Sequence, residues 1–156
     1  MNKSNSDHVA QYYDANTRQF LASSDTGEAV AIHRKLWAPG METPAAAAAH
    51  INDLVAQAAV HALGREPASV TDLGCGVGGS LFHLARCWSH SKLTGYTLSH
   101  AQVQIAQALA SQRQLQDQCD IKQGDFTAVD SATRSELVIA IESHTHLPSL
   151  AVFFEA

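Results

Sequence analysis

The chain has 156 residues, 46% of them hydrophobic and 16% charged, with a formal net charge of -5. That length supports one domain with a real core, and not two. There is no basic stripe, so a nucleic-acid backbone is not an expected partner, and no apolar stretch reaches the ~20 residues that a membrane span needs. Cys75, Cys87 and Cys119 are odd in number and unrelated in spacing, which suggests reduced thiols rather than a disulfide framework or a zinc site. The polar start Met1–Asp7 is unlike a signal peptide, so the expected location is cytoplasmic.

In chain order, residues 1–7 read as a disordered lead. His8–Gly40 holds Tyr12, Tyr13, Phe20, Leu36 and Trp37 but is only partly periodic. It predicts short helices and turns packed on something else. Thr43-Pro44 then opens a helix, with Thr43 as N-cap and Pro44 at the first helical position. Ile51, Leu54, Val55, Ala58, Ala59 and Leu63 follow at helical spacing, and Gly64 closes the helix.

Beyond Pro67 the texture becomes alternating strands and helices. Strands are expected at Ser69–Leu73, Lys92–Thr97, Cys119–Gln123 and Glu136–Ile141. Helices are expected at Ser80–Ser89, after Ser99 as N-cap, and from Pro148 to Ala156. Repetition of this kind builds an α/β fold, a parallel sheet covered by helices on both faces. The chain stops inside the apolar run Leu150–Phe154 with no closing signal. The expectation is therefore a fold truncated after its fourth strand, with an uncovered sheet edge that would favour a homodimer.

The strongest motif is Val70-Thr71-Asp72-Leu73-Gly74-Cys75-Gly76-Val77-Gly78-Gly79. A buried strand runs into a glycine-rich turn that opens a helix, and open α/β sheets bind ligands at that carboxyl edge. Gly74, Gly76 and Gly79 also satisfy the dinucleotide fingerprint, so a nicotinamide-dependent oxidoreductase is one reading. Such an enzyme wants an acidic residue at the end of the second strand, where Thr97 stands instead.

Asp72-Leu73-Gly74-Cys75-Gly76-Val77-Gly78, Gly95-Tyr96-Thr97-Leu98-Ser99, Gln102, Gly124-Asp125-Phe126 and Ile141-Glu142-Ser143 together resemble the ordered motifs of class I S-adenosylmethionine-dependent methyltransferases. The Thr97-Leu98-Ser99 version is similar to the branch holding sarcosine/dimethylglycine, tocopherol and cyclopropane-fatty-acid enzymes. Tyr12-Tyr13-Asp14 and Ile32-His33-Arg34-Lys35-Leu36-Trp37 resemble that branch's helical N-terminal cover. The resemblance implies a Rossmann-like fold with a cover over residues 1–42 and a cofactor-binding domain over 43–156. The implied activity is methylation of a small-molecule acceptor at carbon, nitrogen or oxygen, and a methyltransferase-like module that binds without catalysis remains the alternative.

The resemblance also implies residue roles. With Asp72 at the head of the glycine motif, the methionine part of S-adenosylmethionine would lie over Gly74 and Gly76, with Gly78 completing the turn. Ribose would lie near Thr97, Leu98 and Gln102, Asp125 and Phe126 would frame adenine, and Ile141 would sit beside the cofactor amino group. Glu142 and His146 would be a general base or orient the acceptor, unless they are only polar residues at a strand end. Tyr13 and Trp37 are weaker candidates for closing the site over the sulfonium. His144 and His146 could share a face as metal ligands, but no Cys or second acidic pair supports them, and no metal is expected.

Overall fold

The computed structural model describes residues 3–128, 134–147 and 149–155. Helix α1 (Lys3–Ser24) comes first, and after an irregular strap helix α2 (Pro44–Leu63) follows. Then β1 (Ser69–Leu73), α3 (Gly79–Cys87), β2 (Lys92–Thr97), α4 (His100–Gln112) and β3 (Cys119–Gln123) alternate. They are followed by β4 (Leu137–Ile139) and the short α5 (Leu150–Glu155).

The helix starts are where the sequence signals put them. Thr43 accepts from the Ala46 N–H and Ser99 from the Gln102 N–H, each satisfying a donor that the first turn leaves free. Gly64, at φ +70°, ends α2 by returning its N–H to the Val60 carbonyl. The four strands form one parallel sheet in the order β3-β2-β1-β4. Val70 stands beside Leu93 on one side and Leu137 on the other, and Leu93 stands beside Cys119. The strands run in one direction from β1 to β3, so right-handed crossovers bring α3 and α4 to the same face. There Leu81, Phe82 and Leu84 pack with Val70, Leu93, Val103, Ala106 and Ile121 as the core. On the opposite face Asp120, Lys122 and Val138 are exposed.

Three expectations need correction. Over residues 3–24 the expected lead and short helices are one 22-residue helix, α1, whereas the stretch from 25 to 40 is irregular apart from a single 3-10 turn at Gly27–Ala29. The periodicity of α1 is weak because it is held mainly by polar side chains. Asp14 accepts from the Ser99 hydroxyl and the Ala101 N–H at the start of α4, and Thr17 bonds back to its own Tyr13 carbonyl. The fourth strand is shorter than expected, ending at Ile139, so Ile141 lies beyond it and Glu142 to His146 form a turn rather than a strand end. Within the last expected helix, Pro148 and Ala156 lie outside the described residues.

The core's dependence on the α3 face is testable. Leu81 is fully buried, so Leu81→Ala should cost about 2–5 kcal/mol from lost transfer energy and the cavity left behind. Urea unfolding should show a lower midpoint with an unchanged slope.

Candidate functional site

The chain leaves β1 through a turn fixed by one acceptor. The N–H groups of Gly74 and Cys75 both donate to the Tyr96 carbonyl of β2, each at 2.9 Å. Gly74 has φ +85° and Gly76 φ +57°, left-handed values that glycine adopts without a Cβ penalty. A Cβ on Gly74 would stand 2.3 Å from the Cβ of Ser143, whereas one on Gly76 would meet nothing within 4 Å. The first glycine therefore lets another loop cross, and the second leaves space beside bare backbone. That space belongs to a cavity of about 540 Å³.

Asp72, Gly74, Gly76, Thr97, Leu98, Gln102, Phe126, Ile141, Glu142 and His146 all line this cavity, with Tyr13 of α1. Three residues expected at the site, Gly78, Asp125 and Trp37, lie outside its wall. Gly78 is the N-cap of α3, and a Cβ there would meet the Phe82 ring. Asp125 lines a smaller neighbouring pocket with Ser6, Leu98 and Gln123. Its carboxylate accepts from Ser6 at 2.7 Å and from the Thr127 hydroxyl at 2.7 Å. Burial alone would raise its pKa, but these bonds together hold it below the ordinary carboxylate value. Trp37 is 53% exposed and is not part of the cavity wall.

The acceptor-side candidates come together across the chain. The Tyr13 hydroxyl and His146 Nε2 share a hydrogen bond of 2.8 Å, with the rings edge to face at 5.4 Å. Burial pushes the Tyr13 phenol up and the His146 imidazole down, so both are held neutral. Glu142 takes the left-handed conformation, φ +59°, and both of its oxygens accept from the Arg34 N–H at 3.3 Å. Gln102 is 3% exposed and its side-chain oxygen accepts from Thr97 at 2.6 Å. The end of β2 thus presents a hydroxyl and an amide to the cavity, with no carboxylate. Asp72 is fully buried, and desolvation without an offsetting cation or hydrogen bond pushes its carboxyl up to about 7.

Two wall residues escaped the sequence reading as ligand groups: His33, on the strap after α1, and Ser143, in the turn after β4. Both lie in segments that carry the family resemblance, Ile32–Trp37 and Ile141–Ser143, but the resemblance gives neither a role. Both became visible only because the fold buries their polar atoms without partners. The strap itself is strained, since Val30 is β-branched and sits at φ +41°. Among the described residues no group of three His, Cys, Asp or Glu is placed to hold a metal, and no helix is long and apolar enough to cross a membrane.

An open parallel sheet whose first strand ends in a bare glycine turn beside a cavity defines an α/β domain of the kind that takes ligands at the sheet's carboxyl edge. A family model described as a methyltransferase domain matches residues 70–156, and the chain belongs to that family. It is 33% identical over 78 residues to the polyketide synthase ThaQ of Burkholderia thailandensis, a match covering 50% of this chain and 4% of that protein. It is 35% identical over 82 residues to a sterol 24-C-methyltransferase of Saccharomyces cerevisiae, covering 52% of this chain and 21% of that one. Among solved structures, the [4+2]-cyclase SpnF superposes with a TM-score of 0.67 at 32% identity, over 80% of this chain and 44% of the other. Coclaurine N-methyltransferase shares the fold, with a TM-score of 0.69 at 21% identity over 90% of this chain and 43% of that chain. The matched stretch thus spans a small part of these curated relatives and less than half of the solved chains.

The state of Asp72 has a measurable consequence. Its folded pKa of about 7 lies above the ordinary 3.8, so the folded chain keeps a proton that the unfolded chain releases. The group's contribution is complete below pH ~4 and is lost as pH rises towards 7, about 4 kcal/mol at most. Urea unfolding without ligand should show wild type losing stability from pH 4.5 to 7.5 on the order of that amount, and Asp72→Asn losing much less.

Proposed function

We propose that the chain binds S-adenosylmethionine and directs its methyl group to a small-molecule acceptor. The observation that carries this reading is the open space beside Gly76 in a cavity-lining turn, in a chain that belongs to a methyltransferase domain family. The donor set suits the cofactor. Gly74 and Gly76 offer bare backbone to the methionine end, Thr97, Leu98 and Gln102 lie where ribose would be held, and Phe126 offers a ring to adenine. Asp125 would receive the adenine amino group by giving up Ser6, and Ile141 lies where the amino-acid end would be bounded. The buried Asp72 carboxyl suits a site that a cationic ligand completes.

When bound, the cofactor supplies an electrophilic methyl group on a sulfonium. The protein's part is to hold both reactants in line, exclude water and receive a proton. Tyr13 presents an aromatic face on the cover side, an apt neighbour for a cation. The neutral pair Tyr13–His146 and the Glu142 carboxylate border the acceptor's side of the cavity and would orient it. A nicotinamide reading has less support, because β2 ends in Thr97 with its hydroxyl committed to Gln102. The likeness to a [4+2]-cyclase keeps binding and methyl transfer separate questions, so each needs its own measurement.

Calorimetry should show S-adenosylhomocysteine binding to the wild-type chain and NADH failing to bind. Gly76→Val should abolish the binding, since its side chain would fill the space beside the turn, while circular dichroism shows the fold retained. Undiminished affinity in that variant would remove the turn from the site. Asp125→Ala should weaken binding by about 1–3 kcal/mol, the cost of an unpaired polar partner.

A further inference from the structure

Among the described residues three buried side-chain polar atoms have no hydrogen-bond partner: His33 Nε2, Ser143 Oγ and Asn52 Oδ1. Two of the three belong to residues that line the same cavity. A buried polar atom without a partner costs about 1–3 kcal/mol, which a ligand group bonded to it would recover. His33 is specified further. Its Nδ1 lies 2.9 Å from the Arg34 carbonyl, which can only accept, so Nδ1 carries a proton and, in the tautomer this bond selects, the lone pair is on Nε2.

Two of the other bases at the cavity are engaged, and Asp72, at the end of β1 and without a hydrogen bond, is the exception. His146 Nε2 is bonded to Tyr13, and Glu142 holds the Arg34 N–H with both oxygens. His33 sits on the strap next to Arg34, whose N–H bonds Glu142, and it lines the cavity together with Tyr13, Glu142 and His146. Before it on the strap Val30, Ala31 and Ile32 give the wall an apolar stretch, and after it Arg34 also lines the cavity.

We propose that His33 is the proton acceptor of the methyl-transfer reaction and that its substrate is an apolar molecule bearing a hydroxyl group. This rests on the methyltransferase reading above and deepens it. The hydroxyl oxygen donates an electron pair to the methyl carbon as the carbon–sulfur bond breaks, its electrons passing to sulfur. The hydroxyl proton passes to His33 Nε2, and the resulting imidazolium later releases it to water. The products are a methyl ether, the thioether form of the cofactor and one proton. Ser143, whose Oγ is the second unpartnered atom, positions the hydroxyl. A lone pair that accepts but does not donate needs a partner that carries a proton, and a hydroxyl group supplies one.

The test uses the full chain with 15N-labelled imidazoles, saturated with S-adenosylhomocysteine, and two probes: phenol, and anisole, which lacks the hydroxyl proton. Phenol should shift the His33 Nε2 resonance, anisole should leave it in place, and His33→Gln should keep S-adenosylhomocysteine affinity while losing phenol binding. With radiolabelled cofactor, methyl transfer to phenol should fall roughly 10²–10⁴-fold in that variant. A shift of Nε2 by S-adenosylhomocysteine alone, with a loss of about tenfold or more in its affinity on His33→Gln, would make His33 a cofactor contact and overturn the proposal. So would an Nε2 resonance that phenol leaves unmoved. A wild-type chain that fails to bind S-adenosylhomocysteine sinks the methyltransferase reading itself, an outcome distinct from either.

Discussion

One carbonyl organises the carboxyl edge of the sheet. Tyr96 O uses both of its acceptor positions, one for Gly74 N–H and one for Cys75 N–H, and so turns the chain sharply as it leaves β1. Because the turn is pinned there, Gly78 N–H can close on the Cys75 carbonyl and α3 begins at Gly79. Because Gly74 has no side chain, the loop after β4 can bring Ser143 across it. Glu142 and His146 reach the cavity through that crossing. Without it the glycine turn would face only β2 and the strap.

The N-terminal cover is attached by a different kind of chemistry. The core under α3 is held by fully buried apolar side chains, but α1 is held by separate polar bonds. Asp14 binds the start of α4, Ser6 binds Asp125, Asn5 binds the His146 carbonyl and Tyr13 binds His146. Net contributions from such bonds are near 1 kcal/mol each. The cover is thus positioned accurately yet held lightly, which suits a wall that must let a ligand in. Its inner side carries aromatic and imidazole rings, and its outer side carries Tyr12, 53% exposed.

The alternating strands and helices were legible because each has a short-range signal: capping residues before α2 and α4, Gly64 after α2, and apolar runs ending in glycine or polar residues. The glycine turn was legible because its backbone requirement is local. What could not be read depends on contacts between residues far apart in sequence. Helix α1 has little periodicity because its partners are polar, at positions 85 to 141 residues away. His33 lies in the segment Ile32–Trp37 that resembles the cover, but its unpartnered nitrogen exists only once the strap has packed. Gly78 looked like ligand backbone, yet the α3 start places the Phe82 ring over it.

The order of the strands also bears on how the sheet assembles. β1, β2 and β3 pair with their neighbours through crossovers of local length, whereas β4 must return past two strands to reach the free side of β1. Its ladder is only three residues long, and a clamp outside the core supports it: Glu136 takes the Arg65 guanidinium through two bonds of 2.8 Å and the Ala68 N–H at 2.7 Å. Closing a loop of that separation costs entropy before any contact repays it. β4 is therefore the strand expected to exchange its amide hydrogens first, and the turn from Glu142 to His146 follows directly from that short ladder.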